Sequence, residues 1–230
     1  MMLESLREEV CRANFQLVAH GLVSLTWGNV SAICDERKHV VIKPSGVPYD
    51  RLCAERMVVV DLDGNVMEGD LRPSSDLPAH LCLYREFDCA GGVTHTHSLH
   101  ATMFAQARKP IPCLGTTHAD HFYGEVPLTR ALTTREVEED YEHNTGRVIV
   151  ERFRSIDPKS MPAVLLPGHG PFTWGKDAAD SVKNAAALES IARIAIGTWQ
   201  LDAAASPLES YVLEKHHERK HGPDAYYGQG

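Results

Sequence analysis

Four groups of residues in this chain carry types able to do chemistry. His95 and His97 lie in the run Gly91-Gly92-Val93-Thr94-His95-Thr96-His97-Ser98, and alternation along a strand puts both imidazoles on one face. Two imidazoles side by side on rigid backbone form a metal chelate, or else a pair of hydrogen-bonded histidines at a strand end. A third histidine, His169, stands in Pro167-Gly168-His169-Gly170-Pro171, where glycines and prolines define the backbone and leave little steric cover. Asp76 adds a candidate oxygen. Three nitrogens with one oxygen or water make a divalent transition-metal set, with zinc or manganese first in order. The stretch Thr116-Thr117-His118-Ala119-Asp120-His121-Phe122-Tyr123 is dense in groups that move protons.

Other motifs could receive an anion. Pro73-Ser74-Ser75-Asp76 precedes a helical run, so its serines and aspartate are either caps or a phosphate seat at the positive end of a helix. Ser45-Gly46 after a strand offers a hydroxyl and backbone N–H groups, or is merely a turn. Gly28-Asn29 marks a turn or bulge, or a close backbone approach to a ligand. The tail holds Lys215, His216, His217, Arg219, Lys220 and His221, then Tyr226-Tyr227-Gly228. It is either a frayed, solvated end or an arm that reaches a neighbouring active site as a phosphate clamp and proton donor.

Positioning these groups needs strands and helices in a defined order. Leu6, Val10, Ala13, Leu17 and Val18 recur at helical spacing, predicting an amphipathic helix over 2–20 that stops at Gly21. Strands are expected around residues 25–32, at 39–43 and at 57–61, with Val66-Met67-Glu68 returning after the Asp63-Gly64-Asn65 turn, so the first third reads as an antiparallel meander. Helices follow at 77–87 and 98–108, the second with Ser98 as N-cap. The run 134–142 carries Glu136, Glu138, Glu139, Asp140 and Glu142, a solvated helix face. Strands are expected at 147–153, 163–166 and from Phe172, then a long alanine-rich helix at 177–200 and a helical tail from Pro207.

The 230 residues suit a single domain, 1–230, with a sizeable core. A formal net charge of -8 argues against nucleic acid as a partner. The six cysteines are scattered without a Cys-x-x-Cys pair, as in reduced cytosolic proteins. The N-terminus is acidic and amphipathic, unlike a signal peptide. No run approaches the roughly 18 apolar residues of a membrane span. These features predict a soluble cytoplasmic protein with no membrane partner.

Taken in order, Trp27-Gly28-Asn29-Val30-Ser31, Lys43-Pro44-Ser45-Gly46, Pro73-Ser74-Ser75-Asp76, His95-Thr96-His97-Ser98, Gly115-Thr116-Thr117-His118-Ala119-Asp120, His169-Gly170-Pro171-Phe172 and the stretch from Lys220-His221-Gly222 to Tyr226-Tyr227-Gly228 resemble the class II aldolase/epimerase family across essentially the whole chain. The resemblance implies an α/β fold, a three-layer sandwich whose central, mostly antiparallel sheet is flanked by helices. It implies a homotetramer with active sites between neighbouring subunits. One divalent metal per subunit, zinc first with manganese or cobalt as alternatives, falls on Asp76, His95, His97 and His169. Substrate and phosphate positions fall on Gly28, Asn29, Lys43, Ser45, Gly46, Ser74, Ser75 and Thr116, with His216 and Arg219 from the adjacent subunit; acid and base fall on Asp120 and Tyr227. The implied activity is C4 epimerisation of a phosphorylated ketopentose, by retro-aldol cleavage of C3–C4, rotation of glycolaldehyde phosphate and re-addition to the metal-held enediolate. The Leu166-Pro167-Gly168 lead-in to His169 departs from the family pattern and bears on the rigidity of that turn.

Overall fold

A computed structural model describes residues 1–222, 225 and 226. Its centre is one seven-stranded sheet in the order β4-β3-β2-β1-β5-β7-β6, and every neighbouring pair runs antiparallel. The strands are β1 (Asn29–Ile33), β2 (His39–Ile42), β3 (Val58–Asp61), β4 (Val66–Glu68), β5 (Gly92–His95), β6 (Ala163–Leu165) and β7 (Pro171–Gly175). The helices are α1 (Glu4–Ala19), α2 (Leu77–Glu86), α3 (Leu99–Ala107), α4 (Thr116–Ala119), α5 (Thr134–Arg152), α6 (Ala178–Leu201) and α7 (Ser210–His221).

The period-two pattern of valines and isoleucines explains why helices cover both faces. Val30, Ala32, Val41 and Val59 point one way and pack with Val10 and Leu17 of α1 and with Ala178, Val182 and Ala185 of α6. Val40, Ile42, Val58 and Val60 point the other way, joining Leu77, Leu81 and Tyr84 of α2 and Val148 and Ile149 of α5. The result is the expected three-layer α/β sandwich. All six cysteines are free.

The structure corrects the sequence reading of several elements. Residues 147–153, expected as a strand because of Val148-Ile149-Val150, continue α5 and end in a 3₁₀ turn. A Thr133/Glu136 capping box starts that helix, and Asn144, Thr145, Val148 and Ile149 form a buried stripe at helical spacing, so packing against α2 overrides β-propensity. The loop expected at Thr116 begins instead with the single turn α4. His95 is the last residue of β5, so His97 lies beyond the strand and alternation is not what brings the two rings together.

Two buried histidines give the fold an acid limit. His80 is fully buried on α2, with Nδ1 hydrogen-bonded to Ser31 Oγ at 2.7 Å, and burial pushes its pKa from 6.5 down to about 3. His118 donates from Nε2 to the Gly124 carbonyl at 2.7 Å, and burial takes it down to about 4. Below pH 6.5 the unfolded chain takes up protons at these positions that the folded chain refuses, so stability is lost as pH falls. Each group contributes about 1.4 kcal/mol per pH unit until its folded pKa is reached. Denaturant melts from pH 7 to pH 5 should show a falling midpoint, and His80→Gln should flatten that slope.

Candidate active site

Strand pairing sets the first imidazole. In the ladder of β1, β5 and β7, His95 stands between Asn29 and Phe172. Its ring stacks on Phe172 with centroids 4.3 Å apart. The Pro171 carbonyl lies 3.0 Å from His95 Nδ1 and can only accept, so Nδ1 carries the proton and Nε2 presents a lone pair. His97 Nε2 is 3.1 Å from that nitrogen.

The third imidazole comes from the turn between β6 and β7. Leu166 N–H donates to Gly170 O at 3.0 Å, His169 N–H to Leu166 O at 3.1 Å and Gly168 N–H to Ala105 O at 2.9 Å, with Gly168 at φ 71°. The Leu166-Pro167-Gly168 lead-in therefore closes a tight turn anchored to the end of α3. Gly170 permits a close approach, since a Cβ there would sit 2.6 Å from the Thr96 carbonyl and 3.2 Å from His97 Cδ2.

Nitrogens of His95, His97 and His169 lie within 4.8 Å of one another. A tetrahedral zinc with Zn–N near 2.0–2.1 Å requires nitrogens about 3.3 Å apart, close to the His95–His97 separation. Burial, then the neighbouring histidines, lowers His97 and takes His169 down to about 4, so both are neutral and able to ligate at pH 7. The donor set fits a divalent cation.

Around the triad lies a cavity of about 410 Å³. Asp76, at the start of α2, lines it and accepts from Asn29 Nδ2 at 2.6 Å, standing beside the triad. Burial raises the Asp76 carboxyl, but His95, His80, the Asn29 bond and His169 outweigh it and hold the group ionised. Gly28, at φ 76°, lets β1 begin against the end of β5: a Cβ would meet Val23 Cγ1 at 2.7 Å and His95 O at 3.0 Å. Asn29 is thereby buried in the cavity lining, with Oδ1 unpartnered among the described residues.

Two serine-bearing segments meet at the same place. Ser45 N–H donates to Arg72 O at 2.9 Å and Ser74 N–H to Lys43 O at 3.0 Å, so main-chain bonds tie 43–45 to 72–74. Ser45, Gly46, Ser74 and Ser75 all line the cavity, as does Lys43. The Lys43 amine is nearly inaccessible, bonded to the Thr26 and Pro44 carbonyls at 3.4 Å and 5.0 Å from the Tyr49 ring centre. Burial lowers its pKa and Asp76 opposes that shift. An anion with several oxygens matches these donors.

Tyr141, Glu142, Thr26 and Trp27 also line the cavity and were not expected there as site residues. The acidic run was read as a solvated helix face, but α5 breaks at Asp140 (φ −165°, ψ 82°), and Tyr141 Oη lies 3.3 Å from His169 Nδ1. The available signal was the aromatic ring in an otherwise charged stretch.

Asp120 belongs to a different cluster. Its carboxylate accepts from His216 Nδ1 (3.0 Å), Arg219 Nε (3.0 Å) and Arg219 Nη2 (2.7 Å), with Lys220 Nζ at 3.7 Å. Burial raises its pKa, and the Arg219 and His216 bonds more than reverse this. Thr116 sits one turn earlier, its carbonyl accepting from Asp120 N–H at 2.9 Å. Asp120 lines a separate cavity of about 490 Å³, and Thr116, Asp120, His216 and Arg219 are absent from the lining of the triad cavity. Tyr227 lies outside the described residues.

Residues 8–196 match the family profile described as "Class II Aldolase and Adducin N-terminal domain". The chain is 52% identical over 227 residues to "L-ribulose-5-phosphate 4-epimerase UlaF" of Salmonella paratyphi B (strain ATCC BAA-1250 / SPB7), covering 99% of this chain and 100% of that one. It matches the same-named protein of Salmonella typhi to the same extent. Among solved structures it resembles "L-fuculose 1-phosphate aldolase" with TM-score 0.79 and 25% identity over 94% of this chain and 95% of that chain. YgbL of Klebsiella pneumoniae shares the fold at TM-score 0.74 and 23% identity, over 94% and 100% of the two chains.

The close packing at Gly170 makes a direct test of the triad. Gly170→Ala should drive a methyl into the Thr96 carbonyl and displace His97, lowering zinc affinity at least tenfold, as read by chelator competition. Unchanged affinity would dissociate the turn from the site.

Proposed function

The chain belongs to the class II aldolase and adducin N-terminal domain family, and from that premise we propose that it interconverts L-ribulose 5-phosphate and D-xylulose 5-phosphate as one catalytic domain spanning 1–230. The observation that carries this reading is the cavity in which three imidazoles meet a set of hydroxyl, amide and amine donors. His95, His97 and His169 would hold a divalent cation, zinc first with manganese or cobalt as alternatives, and Asp76 would supply the oxygen. When bound, it supplies electrophilic polarisation of the substrate's C2 carbonyl and C3 hydroxyl.

The C4 hydrogen is not acidic, so inversion by direct proton abstraction is unfavourable. Breaking C3–C4 avoids this: the bond's electrons pass to the C2 carbonyl, and the C4 hydroxyl loses its proton as it becomes the aldehyde of glycolaldehyde phosphate. Rotation of that aldehyde and re-addition at its opposite face invert C4, and the new alkoxide takes a proton. Ser45, Gly46, Ser74, Ser75 and Lys43, with Gly28 and Asn29, retain the fragment by its phosphate and oxygens, which converts binding into orientation.

Asp120 and Tyr227 exchange the C4 hydroxyl proton on the two faces. Held ionised by Arg219 and His216, Asp120 suits the accepting role. Its position away from the triad cavity supports a homotetramer in which Thr116, Asp120, His216, Arg219 and Tyr227 of one subunit complete the site of its neighbour. We assign it to the cytoplasm together with the epimerase reading; separately, no described helix is long and apolar enough to cross a membrane.

Protein stripped by chelator should lose D-xylulose 5-phosphate formation from L-ribulose 5-phosphate in a coupled assay, and zinc or manganese should restore it. Release of free glycolaldehyde phosphate instead would make the protein an aldolase. Shared sites make a second expectation. Asp120→Asn and His97→Asn should each be inactive, and subunit exchange in an equal mixture should recover about a quarter of the activity, because random assembly leaves that share of interfaces intact. No recovery would place both residues in the same subunit's site.

A further inference from the structure

His97 poses a mechanical problem. His95 and His169 are held by packing and hydrogen bonds, whereas His97 is exposed and lies beyond the end of β5. Its ring meets Trp27, His95 and His169, but its backbone is placed by its neighbours in the chain, and both are buried: Thr96 is 1% and Ser98 3% exposed. Thr96 N–H is tied to the Pro171 carbonyl at 3.3 Å. The C-terminal side runs straight into α3, whose first N–H groups need acceptors.

Ser98, the expected N-cap, makes no side-chain capping bond. The acceptor comes instead from α6. The Glu189 carboxylate accepts from His100 N–H at 2.9 and 3.1 Å, from Ala101 N–H at 3.0 Å and from His100 Nδ1–H at 2.6 Å. Burial raises the Glu189 carboxyl, but the His100 and Ala101 donors, with the nearby Ser98 side chain, outweigh it and hold the group ionised. A negative charge at a helix N-terminus is further stabilised by the positive end of the macrodipole. Glu189 sits beside Leu188 and Ile191, which are fixed in the core.

We propose that Glu189 is a positioning residue for the metal site: by capping α3 from α6 it fixes the chain immediately after His97 and so holds His97 Nε2 against His95 Nε2. The inference rests on the reading of His95, His97 and His169 as metal ligands. Glu189 touches neither metal nor substrate; it acts through Ser98 and the start of α3. Its loss lets segment 96–98 swing, so the cost falls on metal affinity.

The test is zinc binding by the apo full-length protein, read by competition with a chromophoric chelator, alongside the melting temperature of the same apo samples. Glu189→Gln should bind zinc about tenfold or more weakly, the range seen for residues that orient metal ligands. Ser98→Ala, which takes a buried hydroxyl from beside the carboxylate, should weaken binding a few-fold. Affinity unchanged in both variants, or a lowered melting temperature with affinity intact, would make Glu189 a helix cap and nothing more, overturning the proposal. Failure of the wild-type protein to bind zinc would instead remove the metal-site reading, and this inference with it.

Discussion

The pairing of β5 between β1 and β7 is the constraint on which the rest depends. It sets Asn29, His95 and Phe172 in one row across the sheet, at the strand ends where irregular chain begins. One neighbour contributes an amide that bonds to Asp76. The other contributes a stacked ring and, through Pro171, the carbonyl that selects the tautomer of His95. A slip of one residue would turn His95 to the opposite face and dissolve all of these relations together.

Electrostatics follow from that burial. The chain is acidic overall, yet the triad cavity is lined by His97 and His169 kept neutral, a carboxylate kept ionised and a lysine whose charge is disfavoured by its surroundings. A cation can pair with the Asp76 carboxylate and an anion with the Lys43 amine and the hydroxyls around it. A divalent cation beside a polyoxygen anion makes both pairings, which is why metal and phosphate readings reinforce each other.

Much of this was legible in the sequence. Three histidines, the serine pairs and the Gly-Asn step announced themselves by residue type, and alternating valines announced a sheet covered on both sides. What was not legible depended on partners distant in the chain. Val148-Ile149-Val150 has the composition of a strand, and only the face it shares with α2 makes it helix. Tyr141 is drawn in by a backbone break at Asp140 that no local propensity marks. Ser98 carries the signature of a cap, while the group that caps α3 comes from 89 residues away. Local rules describe what a residue prefers, and these are positions where the fold supplies a stronger alternative.

The main-chain bonds between 43–45 and 72–74 bear on how this protein can vary. Because Ser45 and Ser74 are located by peptide groups, the side chain of Arg72 is free to drift without altering the spacing between the two segments. Length is a different matter. A single inserted or deleted residue in either segment would shift one serine past its counterpart and leave the peptide pairs mismatched. Over evolutionary time this corner of the molecule should therefore tolerate spelling changes at Arg72 and forbid changes in letter count.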